Sequence, residues 1–218
     1  SPVTMTVGSK DVDQAKKAKI ISQWYDAMHT CGFVVIKGTG ISSGLINRIN
    51  SEMEIFFNRP EVDKLIYSRG KYGCPEGGYT PFGKEAVASS LTPSAAVKPD
   101  PVESFVFPHP PEKNSADDFC FPSVEEYSLK MEILLSLLHR ITAESLSLPN
   151  ENFFEEFYSL KESTSRNGNT LRLAYYPPAS RGVTDMQIAY GAHTDYQGYT
   201  ILRPDPDDWG LHPGGLEC

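Results

Sequence analysis

The sequence has few cysteines and no long apolar run. Its four cysteines, Cys31, Cys74, Cys120 and Cys218, are far apart and form no C-x-x-C pair, so we predict reduced thiols and neither a disulfide framework nor a zinc site. No apolar stretch approaches the roughly 20 residues that cross a bilayer, and the N-terminal SPVTMTVGSK lacks the basic flank and apolar core of a signal peptide. We therefore expect a cytoplasmic protein without a membrane partner.

Positive charge is also scarce. Lysine and arginine number 20 against 28 acidic residues, which gives a net charge of -8. No basic cluster interleaved with aromatic residues offsets this charge, so we predict no nucleic-acid partner. A chain of 218 residues is long enough for one sizeable core, so a single domain over residues 1–218 is expected. The oligomeric state stays open.

Apolar residues at helical spacing predict helices before the last quarter of the chain. The predicted helices cover residues 11–30, 43–56 and 124–146, and a shorter predicted helix begins at Asn150. Ser42 or Ser43 is expected to cap the second helix. Ser123-Val124-Glu125-Glu126 has the sequence of a capping box, in which the serine hydroxyl and the Glu126 carboxylate each accept from the other residue's backbone N–H.

Extended segments dominate the last quarter of the chain. Short β-rich runs predict strands at 33–36, 103–107, 171–176, 186–195 and 199–202, the second of them isolated. Frequent proline and glycine predict a long loop over 70–122, which is a candidate for substrate contacts. Helices before strands favour an α+β or mainly β fold, with a helical region over about 1–165 and the start of a β-barrel over about 166–218.

One pair of residues could hold a metal ion. His193 and Asp195 lie two apart in Gly191-Ala192-His193-Thr194-Asp195, so on a strand their side chains share a face. Two histidines and a carboxylate hold iron(II) in oxygenases and leave open positions for a cosubstrate and O2. The pair supplies two of these ligands. The spacing alone leaves a surface turn as an equal alternative.

Ordered motifs around the pair resemble the iron(II)/2-oxoglutarate oxygenases related to isopenicillin N synthase. The resemblance covers nearly the whole chain. Its motifs are Cys31-Gly32-Phe33 with Gly40-Ile41, Gly78-Tyr79-Thr80-Pro81-Phe82-Gly83-Lys84-Glu85, Glu103-Ser104-Phe105, Leu171-Arg172-Leu173-Ala174-Tyr175-Tyr176-Pro177-Pro178, Tyr190 to Asp195, Gly198 to Leu202, and Gly214 to Glu217.

The resemblance implies a double-stranded β-helix (jelly roll, cupin-like) with the N-terminal helices outside it. It implies iron(II) on His193 and Asp195, and 2-oxoglutarate as cosubstrate beside Tyr176. A second histidine and an Arg-x-Ser are implied beyond Cys218, so the barrel is expected to be incomplete in this chain. Arg172 and Tyr175 are candidate substrate-binding residues, and for Arg172 an exposed side chain is the alternative.

The expected function is that of a non-haem iron(II)- and 2-oxoglutarate-dependent oxygenase. It would use O2 to oxidise, by default to hydroxylate, a small organic molecule, although the 218 residues alone are expected to be inactive. A 2-oxoglutarate-independent oxidase resembling isopenicillin N synthase is one alternative. A truncated, non-catalytic family member that acts as a binding module is another. A zinc hydrolase is disfavoured because no further ligand lies at metal-site spacing.

Overall fold

The computed structural model describes residues 4–6, 14–68, 77–85, 99–108, 121–158, 169–177, 195 and 198–204. The chain divides into two compact units. The first contains Ser1–Ile41, Lys130–Ser159 and Gln197–Cys218, and the second contains Ser42–Leu129 and Leu160–Tyr196.

Five helices and five strands are present among the described residues. The helices are α1 (Gln14–Thr30), α2 (Ser43–Phe57), α3 (Glu61–Lys64), α4 (Val124–Ser145) and α5 (Phe153–Tyr158), and a 3-10 turn follows α3. The strands are β1 (Thr4–Thr6), β2 (Val35–Lys37), β3 (Gly78–Thr80), β4 (Glu103–Pro108) and β5 (Thr170–Tyr175). The four predicted helices are confirmed within the described residues, although the last begins at Phe153 and not at Asn150. None of the described helices is long and apolar enough to cross a membrane.

The core of the first unit forms around Trp24 of α1. Its side chain is buried and packs against apolar residues at helical spacing on α4, namely Leu134, Leu138 and Ile141. Spacings of four and three residues keep these side chains on one face of the helix. For this reason the apolar pattern in the sequence predicted them. Beside the helices, β1 pairs in parallel with β2.

A hydrogen-bond network joins Trp24 to α4 and to Tyr199. The Thr142 hydroxyl donates to the Leu138 carbonyl at 2.7 Å. Because the hydroxyl has only one proton and donates it to Leu138, its oxygen acts as the acceptor in the two other hydrogen bonds. It accepts from the Trp24 indole N–H at 3.0 Å and from the Tyr199 hydroxyl at 2.7 Å. Burial raises the pKa of the Tyr199 phenol above its usual value of 10.0, so the phenol remains a donor at neutral pH.

Removing the Thr142 hydroxyl is therefore expected to destabilise the first unit. Thr142→Val keeps the shape but leaves the Trp24 N–H and the Tyr199 hydroxyl without their shared acceptor, which should cost about 1 to 3 kcal/mol of unfolding free energy. Urea unfolding followed by tryptophan fluorescence measures this loss. Thr142→Ser keeps the hydroxyl and should lose less. Equal losses in the two variants would contradict the role of the hydrogen bonds.

The second unit contains the three-stranded antiparallel sheet β3-β4-β5. The central strand is β4, whose Phe105 lies opposite Tyr79 of β3 and Leu173 of β5. The predicted strand at 103–107 is confirmed as Glu103–Pro108 but is not isolated. The short strand β3 also interrupts the predicted loop over 70–122. The sheet is open within the described residues. The helices and the antiparallel strands of the described residues agree with the coarse α+β prediction.

The start of α2 is confirmed, whereas the predicted capping box of α4 is wrong. The Ser42 hydroxyl accepts from the Leu45 N–H at 3.2 Å, as expected of an N-cap. At α4, however, the Ser123 hydroxyl donates to Glu52 at 2.6 Å, and the Ser123 backbone N–H also donates to that carboxylate. A carboxylate from α2 therefore satisfies this helix start, where negative charge is favourable.

The remaining strand predictions have different outcomes. The predicted strand at 33–36 is shifted to Val35–Lys37. Residues 198–204 form no strand, so the prediction for 199–202 is wrong; Tyr199 instead contacts the helical core of its unit. The predicted strand at 186–195 lies outside the described residues except for Asp195.

Candidate functional site

Only one member of the predicted metal pair belongs to the described residues. Asp195 is exposed, and its neighbour His193 lies outside the described range, so their shared strand face stays a prediction. An imidazole with a carboxylate fits the donor chemistry of an iron(II) site. The described residues contain no group of three or more His, Cys, Asp or Glu that could hold a metal ion.

The other candidate residues belong to β5 or follow it directly, and alternation along the strand separates them. Arg172 and Ala174 lie on one face of the sheet, where Ala174 is opposite Ser104 of β4. We call this side the polar face. Tyr176 follows directly after the last residue of β5 and is 43% exposed. Tyr175 lies on the opposite face, so the structure does not bring it together with Arg172.

On the polar face Arg172 forms an ion pair that the sequence analysis did not predict. Its Nη2 donates to Glu85 Oε2 at 2.7 Å. The other carboxylate oxygen, Oε1, accepts from the Ser104 hydroxyl at 2.6 Å. Ser104 is completely buried, whereas the side chains of Arg172 and Glu85 keep 29% and 22% of their surface exposed. The ion pair is therefore partly exposed.

The opposite face of the sheet is aromatic. Tyr175 stacks on Phe57 of α2, with the ring centroids 5.3 Å apart and the planes 6° from parallel. Phe56 contacts a cluster of rings from the strands and loops around it, namely Tyr67, Tyr79, Phe105 and Phe121. Burial of these large rings supplies much of the stabilisation of the second unit and holds β5 in place.

A buried ion pair lies within this aromatic face. Lys64 Nζ donates to Glu103 Oε2 at 2.5 Å and to the Phe57 carbonyl at 2.9 Å. The Tyr79 hydroxyl donates to the same Glu103 oxygen at 2.5 Å. A glutamate at the start of a largely apolar strand was a signal that could have identified this cluster, because such a buried carboxylate needs a cation.

A cavity of about 340 Å³ adjoins the buried ion pair. Its lining includes Lys64, Glu103 and Tyr79, together with Arg59 and Phe82. None of the residues Ser104, Arg172, Ala174 and Tyr176 lines it. The cavity therefore belongs to the other side of the sheet from the candidate substrate residue Arg172.

Comparison with known proteins identifies a matching family model. Residues 5–124, more than half of the chain, match the model described as the N-terminal part of the non-haem dioxygenase in morphine synthesis. The match ends before β5 and the His193 to Asp195 motif. It therefore bears on the family of the chain and not on its metal ligands.

Two curated relatives match over most of the chain. The 2-oxoglutarate-dependent dioxygenase caaD of Aspergillus niger is 29% identical over 211 residues, which cover 89% of this chain and 60% of the relative. Codeine O-demethylase of Papaver somniferum is 25% identical and covers 84% of this chain and 48% of the relative. The chain thus spans about half to three fifths of the length of these relatives.

Solved structures share the fold. A full-length Neurospora crassa protein in complex with alpha-KG and thymine superimposes with a TM-score of 0.65 at 21% identity, over 89% of this chain and 62% of that protein. A 2OG-Fe(II) oxygenase family protein from Caulobacter crescentus gives a TM-score of 0.57 at 21% identity, over 82% of this chain and 56% of that protein. At this identity the similarity concerns the fold alone.

Proposed function

Because this chain belongs to the family of non-haem iron(II)- and 2-oxoglutarate-dependent oxygenases, we propose that the protein containing it oxidises a small organic molecule with O2 and 2-oxoglutarate. Hydroxylation is the default reaction. The family match over residues 5–124 is the observation that carries this proposal. The core is proposed to be a jelly roll, of which β5 is an early strand.

The proposed iron ligands in this chain are His193 and Asp195. The imidazole and the carboxylate are the donor types of a two-histidine, one-carboxylate site, and the second histidine is proposed to come from the part of the family fold that this chain does not span. Bound iron(II) would keep coordination positions open for the cosubstrate and O2 and would supply the redox chemistry. The protein contributes ligands and orientation.

Tyr176 and Arg172 are proposed to hold the two organic reactants on the polar face. A phenol hydroxyl can donate to a carboxylate of 2-oxoglutarate, and Tyr176 is sufficiently exposed to do so. Arg172 lies four residues earlier, about 13 Å away along the strand. We propose that a substrate held by Arg172 and an oxoacid held by Tyr176 lie next to each other along this stretch of chain. Between them the short side chain of Ala174 leaves room.

Tyr175 was also predicted to bind substrate. Its ring stacks on Phe57 on the aromatic side of the sheet. A direct substrate contact stays a prediction. The stacked ring in any case fixes the strand that carries Arg172, because adjacent residues of one strand move together.

Iron-dependent conversion of 2-oxoglutarate to succinate tests the proposal. The whole gene product containing these 218 residues is incubated with iron(II), 2-oxoglutarate, O2 and a panel of small amides and carboxylic acids. We expect succinate formation that requires both iron and O2 and is stimulated by at least one compound. Zinc-loaded protein serves as the redox-inactive control. Absence of iron-dependent succinate with every compound would contradict the proposal.

A further inference from the structure

We propose that Glu85 and Ser104 hold Arg172 as a charge-compensated hydrogen-bond donor, which makes this subsite select uncharged amide-like groups over carboxylates. The inference rests on the proposed function, because it specifies the substrate class of the same site. Glu85 is a positioning residue in this arrangement. Arg172 is the residue that touches the substrate.

The geometry fixes the carboxylate from two sides. Ser104 binds Oε1 of Glu85 and Arg172 binds Oε2, so neither oxygen can turn away without breaking a hydrogen bond. Ser104 is buried in the central strand β4, directly opposite Ala174 in the register of the sheet. A rigid strand therefore holds Glu85, and Glu85 in turn holds the guanidinium.

The charge of the pair determines which ligand it can accept. A guanidinium is permanently protonated and binds a carboxylate well when it stands alone. Beside Glu85, however, an incoming carboxylate meets a negative charge at nearly the same distance as the positive one, and the attraction largely cancels. An amide carbonyl carries no charge and can still accept a hydrogen bond from the guanidinium.

The two ion pairs of the sheet differ in exposure, which separates their roles. The side chains of Lys64 and Glu103 are only 4% and 2% exposed, so that pair serves the interior. The side chains of Arg172 and Glu85 are 29% and 22% exposed. A pair that only joined two segments would not depend on the charge of a ligand. The partly exposed Arg172 pair, in contrast, can contact a ligand.

Acetate and acetamide test the proposal because they have nearly the same shape and differ in charge. The whole gene product is studied without iron or 2-oxoglutarate, and the nitrogen-15 signal of Arg172 is followed by NMR as each probe is added. Wild-type protein should respond to acetamide at lower concentrations than to acetate. Glu85→Gln should bind acetate about tenfold more tightly, because the repelling charge is gone, and acetamide with nearly unchanged affinity.

Glu126→Gln is the matched control. It removes the carboxylate from another Arg–Glu pair, in which Arg48 Nη2 also lies 2.7 Å from the glutamate oxygen. It should leave the response of Arg172 to both probes unchanged. The Arg172→Gln variant should not bind acetamide. Because this variant lacks the arginine signal, its binding is measured by the chemical shifts of neighbouring backbone amides.

Two results would overturn the proposal. One is wild-type protein that binds acetate as tightly as acetamide, a comparison that needs no variant to fold. The other is folded Glu85→Gln protein with unchanged acetate affinity. Because neither experiment involves iron or turnover, these failures are distinct from a failure of the oxygenase function, which would appear as absence of iron-dependent succinate.

Discussion

Replacing His193 or Asp195 by alanine in the whole gene product is expected to reduce iron-dependent succinate formation by at least about 100-fold. Loss of an outer residue that merely orients a metal ligand typically lowers metal affinity or activity by about 10- to 100-fold. Loss of a ligand itself should cost at least as much. Succinate is quantified at saturating 2-oxoglutarate, and bound iron is measured on the same samples.

Two exposed residues of the same types provide controls. His29 lies at the end of α1 beside Tyr25, and Asp63 is exposed on α3. His29→Ala and Asp63→Ala should keep both iron content and turnover near those of the wild type. If His193→Ala or Asp195→Ala kept wild-type turnover, the ligand assignment would be wrong, although the family membership would stand.

Local periodicity predicted the four longer helices because each has apolar residues that repeat every three to four positions. It did not predict α3, which is only four residues long. Trp24 and Leu138 were located in this way, and the Ser42 cap follows from a local side-chain contact. The capping box at Ser123 failed for the converse reason. Its partner Glu52 is 71 residues away in sequence, and a local pattern carries no information about such a competitor.

The same distinction applies to the candidate site. Alternation along the predicted strand at 171–176 placed Arg172 and Ala174 on one face, and both belong to β5, where a period of two fixes which side chains are neighbours. Tyr176 follows the end of β5, so its position on that face stays a prediction. Glu85 lies in a recognised motif, yet its pairing with Arg172 spans 87 residues and depends on the arrangement of three strands. The motif could therefore be recognised from the sequence, whereas the contact could not.

Lys64→Met is expected to lower the free energy of unfolding by about 3 to 5 kcal/mol. The variant removes the cation and leaves the Glu103 carboxylate buried, with the Tyr79 hydroxyl as one remaining donor. Breaking one side of a buried pair carries a cost of this size because the other charge stays desolvated. Urea unfolding followed by circular dichroism measures the change.

Lys17→Met is the matched control, because Lys17 Nζ pairs with Glu144 at 2.8 Å while its side chain is 47% exposed. The same substitution at this surface pair should change the unfolding free energy by about 1 kcal/mol or less. A loss of about 1 kcal/mol or less for Lys64→Met as well would contradict the interior role of the Lys64 pair.

The double variant Lys64→Met with Glu103→Leu separates the cost of an unpaired charge from the value of the pair. Replacing both partners by apolar residues removes the stranded carboxylate, and such replacements are often neutral or stabilising. We expect the double variant to recover most of the stability lost by Lys64→Met. It also removes the hydrogen bonds that join the start of β4 to α3 and to Tyr79 of β3. A double variant as unstable as Lys64→Met would contradict the assignment of that loss to an unpaired buried carboxylate.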